Sequence, residues 1–406
     1  MYPARVVSGM RPTGAMHLGH YHGALKNWVR IQDQTDSLFF VADWHALTTH
    51  YDETETIEKS AWDMLIDWFS AGVDPEKATV FIQSHVLEHA ELTLLLGMTT
   101  PLSWLERVPT YRDQIEKIAH KDLTTFGFLG YPVMMAADVL VYRADQVPVG
   151  DDQVPHIEIM REMARRFNHL YGQEKGLNEK ALVLLGKMGT EQSPFVAYRR
   201  AYQEKGDAEA LSRARECLEK AVDLSRKDRE HLVGWLQGTG RQILVEPRAL
   251  LTEASRLPGL DGQKMSKSYG NAIALRESKD SVRKKIRTMQ TDPARVRRTD
   301  VGDPDKCPVW QFHIVYSDED TRAWAQKGCR SAGIGCIECK QPVAEAIIRE
   351  QEMFHERAQK YLDNPAYVRD VITAGCDRAR KLAQETLRDV RDVMGIGYKP
   401  KTDRTG

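Results

Sequence analysis

Three short apolar runs recur at intervals of roughly 35–40 residues. They are "ARVVSG" (4–9), "SLFFVADW" (37–44) and "ATVFIQS" (78–84). Between them lie helical patterns: Leu18, Tyr21, Leu25 and Trp28 recur at helical spacing after the first run. An acidic-started stretch over 52–74 follows the second and has a stop signal at Gly72. Strands that alternate with helices predict a parallel, doubly wound α/β sheet of Rossmann-like form. Unbroken apolar strands fit a sheet covered on both faces. A further helix, a short strand near Val147 and a helix from about Asp152 continue the pattern.

At 406 residues the chain exceeds one core, and its character changes along its length. The expected division is a catalytic domain over 1–173, a helical insertion over 174–248, a loop segment returning to the catalytic domain over 249–275, and an α-helical domain over 276–406. Within the insertion, stripes at Leu211, Ala214, Leu218 and Val222 and at Leu232, Trp235 and Leu236 predict a helical hairpin. No apolar run approaches the length of a membrane span. The N-terminal stretch lacks the apolar core of a signal peptide, so a cytoplasmic protein is expected. Formal net charge is −1, so a nucleic-acid site must be a local basic patch. The stretch 276–300, with "RKKIR" and "RVRR", is the candidate.

Two stretches carry chemistry. "RPTGAMHLGH" (11–20) joins a strand to a helix start through a Gly- and Pro-containing turn. Free backbone N–H groups there favour an anion. His17 and His20, at i and i+3, share one face and can donate to phosphate oxygens. Gly19 leaves room for close approach of a nucleotide, and His22 reads as incidental. The plain alternative is surface histidines on an amphipathic helix. "KMSKS" (264–268) follows Gly259 and Gly262 in a loop expected to be mobile. Its two lysines suit the charge on a transferring or leaving phosphate.

Paired "HLGH" and "KMSKS" elements are the signature of class I aminoacyl-tRNA synthetases. The chain resembles the bacterial tryptophanyl type over most of its length, in "SGMRPTGAMHLGHYHGAL", "VADWHALTT", "PLSWLERVPTYRDQ", "YPVMMAADVLVYRAD", "VPVGDDQVPHIE" and "GQKMSKSYGN". The resemblance implies ATP-dependent activation of L-tryptophan and transfer to its tRNA, with Mg²⁺ bridging the phosphates. It implies that His17, His20, Lys264 and Lys267 act on the triphosphate. Arg11, Pro12, Thr13, Gly19, Gly150, Asp151, Asp152, Leu257, Met265, Ser266 and Ser268 complete the ATP site. In this family the position of Arg11 is often Gln. The resemblance also implies that Asp138 accepts from the indole N–H, with Tyr131, Met135, His45, Val147, Val149 and Gln153 lining the pocket. A homodimer is implied as well. A tyrosyl-type enzyme of the same fold and a non-catalytic RNA-binding or redox-sensing paralogue are the alternatives.

Cys307, Cys329, Cys336 and Cys339 fall within 33 residues. In a reducing compartment such clustering suggests metal over disulfides. Gly328, Gly333 and Gly335 read as making the segment pliable. Four thiolates suit tetrahedral Zn²⁺ or an iron–sulfur cubane. Resemblance to synthetases with a [4Fe–4S] cluster in the anticodon domain favours the cluster, although the first gap is about one residue shorter here. Cys217 and Cys376 read as structural.

Overall fold

The computed structural model describes residues 4–108, 124–150, 153–173, 176–238, 240–251 and 257–398. The core is a five-stranded parallel sheet in the order β3-β2-β1-β4-β5. β1 (Arg5–Met10) leads into a short helix α1 (Leu18–His20), a π-helical turn (Tyr21–Leu25) and α2 (Lys26–Ile31). β2 (Asp36–Val41) precedes α3 (Asp43–His50) and α4 (Ile57–Ala71), and α4 ends at Gly72 with φ of 111°, a left-handed stop. β3 (Thr79–Ile82) is followed by α5 (Glu88–Gly97), α6 (Leu102–Glu106) and α7 (Phe126–Leu140). β4 (Gln146–Val149) and α8 (Val154–Tyr171) complete this half. The sheet reverses direction of growth between β1 and β4, and an open parallel sheet binds ligands at the carboxyl ends of the strands there. Those ends are Met10 and Val149.

The strands are buried as their unbroken apolar sequence requires: Val6, Val7, Leu38, Phe39, Val80 and Phe81 have no exposed surface. Trp28 stacks on Phe39 at 4.3 Å and meets Trp68 edge-on at 5.0 Å, which docks α2 and α4 on one face.

The insertion differs from the expected hairpin. It holds α9 (Leu177–Leu185), α10 (Gln192–Lys205), α11 (Ala208–Lys220) and α12 (Arg226–Gln237). These enclose a separate apolar cluster that includes Leu185, Phe195, Leu218, Leu232 and Leu236. Val222 is 92 % exposed. Helix α11 ends at Lys220, and the extended backbone of Ala221 turns Val222 out of the apparent stripe. The chain then returns as β5 (Arg248–Leu251), a strand that the 249–275 loop segment was not expected to begin with; its mixed exposure hides the apolar signal. Arg143 ties these parts together, pairing with Glu230 of α12 at 3.2 Å and with Asp389 at 2.6 Å.

The remaining helices are α13 (Lys279–Thr288), α14 (Pro308–Tyr316), α15 (Glu319–Arg330), α16 (Cys336–Leu362) and α17 (Pro365–Val393). Helices α16 and α17 share a continuous buried cluster with the sheet through Val343, Ile347, Phe354, Ile372 and Leu387. A Cβ on Gly375 would stand 1.9 Å from the Val80 carbonyl oxygen, so α17 lies directly on β3. Cys217 and Cys376 are both buried. Among the described residues no helix is long and apolar enough to cross a membrane.

Candidate active site

Below the switch point lies a cavity of about 430 Å³. Its walls include Met10 and Arg11 from the end of β1, Val147, Val149 and Gly150 from β4, and Gln153, His45, Tyr131 and Met135 from flanking helices. At its floor is Asp138, 2 % exposed. All seven residues expected to hold the amino acid therefore line one cavity. Asp151 and Asp152 lie outside the described residues.

The Asp138 carboxylate accepts three hydrogen bonds. His45 Nε2 donates to Oδ2 at 2.7 Å, while Gln83 Nε2 at 2.7 Å and His89 Nδ1 at 2.6 Å donate to Oδ1. His89 Nε2 lies 2.6 Å from the Tyr142 hydroxyl, whose pKa burial and nearby Asp138 push well above its usual range. Tyr142 thus donates to Nε2, which leaves the His89 proton on Nδ1, facing Asp138. Burial pushes the Asp138 carboxyl up, but His45 and His89 outweigh it and hold it below the ordinary carboxylate range. A buried, ionised acceptor with an unfilled position on Oδ2 suits a donor-only ligand group. Gln83 and His89 were not legible beforehand, because they approach from β3 and α5, far along the chain.

The two signature stretches meet at the cavity rim. Leu18 N donates to Ile273 O at 3.0 Å and Leu275 N donates to Met16 O at 2.9 Å, so the segment after the lysine loop is stitched to the histidine turn. A Cβ on Gly19 would stand 3.0 Å from His17 Nδ1 and 3.4 Å from Met265 Cβ. Gly14, at φ of 122°, carries Lys267 across it: a Cβ there would be 2.8 Å from Nζ. Both glycines thus let the motifs touch. Pro12 and Leu257 are buried beside this junction, and Thr13 N closes the turn on Arg11 O at 2.9 Å.

The lysine loop is shaped by hydrogen bonds of its own. Buried Asn271 accepts from Ser266 N at 2.7 Å and donates to Lys264 O at 3.1 Å and Asp261 Oδ1 at 2.8 Å. Lys264 and Lys267 are exposed and form no ion pair among the described residues.

The imidazoles of His17 and His20 stack at 3.6 Å. His17 N donates to His20 Nδ1 at 3.4 Å, which leaves the His20 proton on Nε2. His17 Nδ1 is buried without a hydrogen-bond partner among the described residues. Burial and then Lys264 lower the His17 pKa to about 4. His20 is also held down by its crowded surroundings, by His17 and by Lys264, although its surface is open to the cleft. Both shifts favour neutral rings, each of which keeps an N–H that can donate to an anion. His22 is not incidental: it is 7 % exposed and bonded to two residues of the C-terminal helices.

The four clustered cysteines converge. Cys307 caps α14, Cys329 ends α15, and Cys336 and Cys339 open α16. Burial, then Cys307, Cys329 and Cys336, push the Cys339 thiol up to about 12. Arg295 Nη1 lies 3.8 Å from Cys329 Sγ and His313 Nε2 3.3 Å from Cys339 Sγ. A Cβ on Gly302 would be 2.6 Å from Cys329 Sγ. Gly328 serves close packing rather than pliability, since a Cβ there would lie 2.8 Å from Ile334. Among the described residues, no group of three or more His, Cys, Asp or Glu is arranged to hold a metal ion.

The basic stretch is less free than its composition suggests. Arg276 pairs with Asp67, Lys279 with Glu352, Arg283 with Glu345 and Arg298 with Glu338. Lys284, Arg287 and Arg297 form no side-chain ion pair among the described residues.

Comparison with known proteins accords with this site. The family of class I tRNA synthetases for W and Y matches residues 2–192 and 216–350. The chain is 65 % identical over 399 residues to the tryptophan–tRNA ligase of Ralstonia nicotianae, covering 98 % of this chain and all of that protein. It is 40 % identical over 396 residues to the tryptophan–tRNA ligase of Thermotoga maritima, covering 97 % of this chain and all of that one. The tryptophanyl-tRNA synthetase of Campylobacter jejuni, solved with ADP and tryptophan, superposes with a TM-score of 0.71 at 26 % identity, covering 96 % of this chain and 99 % of that one.

Proposed function

We infer how the residues divide the work from one premise: the chain belongs to the class I tRNA synthetases of the tryptophan and tyrosine group and is a tryptophan–tRNA ligase. In the first half-reaction a carboxylate oxygen of tryptophan attacks the α-phosphorus of ATP in line. The bond to the bridging oxygen breaks, and pyrophosphate leaves. In the second, a ribose hydroxyl at the tRNA 3′ end attacks the adenylate carbonyl and AMP leaves. No protein nucleophile is required, so positioning and charge stabilisation suffice.

The observation that carries this reading is that Lys267 over Gly14, and Met265 against Gly19, bring both motifs to the rim of a cavity floored by Asp138. Asp138 accepts from the indole N–H, and Tyr131, Met135, His45, Val147, Val149 and Gln153 enclose the ring and amine. A buried acceptor left without a donor is costly, which penalises phenylalanine. Neutral His17 and His20 donate to phosphate oxygens. Lys264 and Lys267 neutralise the charge that grows on pyrophosphate. Arg11, Pro12, Thr13, Gly150 and the loop residues Ser266 and Ser268 surround ATP. Mg²⁺, expected for this family, would supply further neutralisation of the phosphates.

Residues 276–406 read the anticodon, with Lys284, Arg287 and Arg297 among the cations offered to the RNA backbone. Cys307, Cys329, Cys336 and Cys339 hold a [4Fe–4S] cluster that keeps their loops in shape. Support comes from the donor set. Thiols that raise one another's pKa gain by a shared cationic centre, and Arg295 beside Cys329 offsets the thiolate charge. The protein works in the cytoplasm as a homodimer. An apolar groove lined by Trp44, Leu47, Leu94, Met98, Leu102 and Phe126 supports pairing, for Met98 is 69 % and Phe126 88 % exposed.

Pyrophosphate exchange with each amino acid tests the reading. Tryptophan should drive it and tyrosine should not; a preference for tyrosine overturns the role of Asp138.

A further inference from the structure

We propose that His22, clamped by Tyr316 and Glu350, is a positioning residue that sets His17 and His20 over the phosphates, so that the C-terminal helices fix the affinity for ATP. The proposal rests on the reading of His17 and His20 as phosphate donors.

The helix that follows His20 is not regular. Tyr21–Leu25 form a π turn between α1 and α2. An extra residue per turn is costly and persists where it re-aims side chains. Here it divides neighbours between two surfaces. Gly23, Ala24 and Asn27 line the cavity, while Tyr21 and His22 turn to the C-terminal helices. Tyr21 meets Phe354 of α16 edge-on at 4.8 Å. His22 Nε2 lies 2.8 Å from the Tyr316 hydroxyl and 3.2 Å from Glu350 Oε2.

The protons in this cluster can be assigned. Tyr316 donates to Glu350 Oε2 at 2.8 Å, and burial followed by Glu350 raises its pKa well above the ordinary value. Its only proton is thereby committed. His22 must then donate from Nε2, shared between the hydroxyl oxygen and the carboxylate. Each member fixes the next, so loss of the Tyr316 hydroxyl leaves the ring of His22 on the longer Glu350 contact alone and loosens it.

Helix α16 reaches the same turn a second way. Gln351, next to Glu350 and 2 % exposed, donates from Nε2 to Ala274 O at 2.8 Å. Ala274 is bridged to His17. Consecutive residues of one helix therefore hold His22 directly and His17 through a single strand-like bridge. The histidine turn is gripped from behind on both sides of His20, and small shifts there move a donor out of hydrogen-bond range.

The test is steady-state pyrophosphate exchange on the full-length enzyme with Tyr316→Phe, His22→Asn, and both together. Tyr316→Phe keeps the ring packing and removes one hydroxyl, so KM for ATP should rise about threefold to tenfold with KM for tryptophan unchanged. The double variant should be no worse than the more affected single variant, because the two residues act as one unit. Glu350→Gln keeps the shape and an acceptor oxygen, and should give a smaller rise; it also serves if Tyr316→Phe folds poorly. Unchanged KM for ATP in well-folded variants, equal rises for both substrates, or multiplying effects in the double variant would overturn the proposal. His20→Asn separates the two levels. If it raises KM for ATP or lowers kcat while the clamp variants do neither, only the clamp falls. If it changes nothing, the phosphate role falls and the clamp with it.

Discussion

Replacing Asp138 by Asn preserves the shape at the cavity floor but alters its hydrogen bonding. Three donors converge on the native carboxylate, at 2.6 to 2.7 Å, in a group 2 % exposed. An amide offers one acceptor oxygen and one NH₂. Whichever way it is turned, the NH₂ faces either His45 Nε2–H or the pair from Gln83 and His89, and a buried donor is stranded at about 1–3 kcal/mol. The indole N–H also loses a charged acceptor, about 1.5–3 kcal/mol. The stranded donor costs stability in the free and the bound enzyme alike and cancels in kcat/KM, so the indole contribution of about 1.5–3 kcal/mol remains, or roughly a 10- to 150-fold loss in kcat/KM for tryptophan. Pyrophosphate exchange, normalised by active-site titration, measures it, and KM for ATP should stay within about twofold. The pH dependence carries a sign. A depressed carboxyl is ionised above its folded pKa and loses its role only as pH falls through it, so KM for tryptophan should not rise through Asp138 until the pH is below the ordinary carboxylate range, about 4. A loss below about tenfold, or an equal change in both KM values, would refute Asp138 as the indole acceptor.

Lys267→Ala should lower kcat for exchange by about 100-fold, since its charge acts on developing rather than ground-state charge. Stopped-flow measurement of adenylate formation checks this, and a change in KM alone would contradict it. Cys336→Ser should abolish tRNA charging while sparing tryptophan-dependent exchange; equal loss of both would refute the division between the cysteine site and the activation site. Anaerobically purified protein should be brown with broad absorption, and the same variant should be colourless; colourless wild-type protein would refute the cluster.

What the sequence disclosed and what it withheld follow a single physical line. Strand spacing and the two motifs were legible because each is set locally, at a turn, a helix start or a strand end, whereas the pocket residues were reached only through the resemblance to a family. The residues that hold them in place come from elsewhere in the chain. His89 reaches Asp138 across 49 positions, Gln83 across 55, and Tyr316 reaches His22 across 294. No periodicity in a window of a dozen residues encodes such a partner. His22 illustrates the consequence. Beside two histidines of the same motif it read as a neighbour, and only the packing of α14 and α16 reveals its partners. The basic stretch errs in the opposite direction. Its composition suggested a cationic face, yet long-range acids neutralise much of it: Asp67 lies 209 positions from Arg276. Local patterns therefore located the groups proposed to touch substrate, whereas the groups that fix their geometry were set by tertiary packing. Sequence reading of such a site should accordingly be trusted less for the residues it dismisses than for those it selects. An isolated polar residue inside an apolar pattern, as His22 is between Leu18 and Leu25, signals a partner not yet found, because burial without one is too costly to persist.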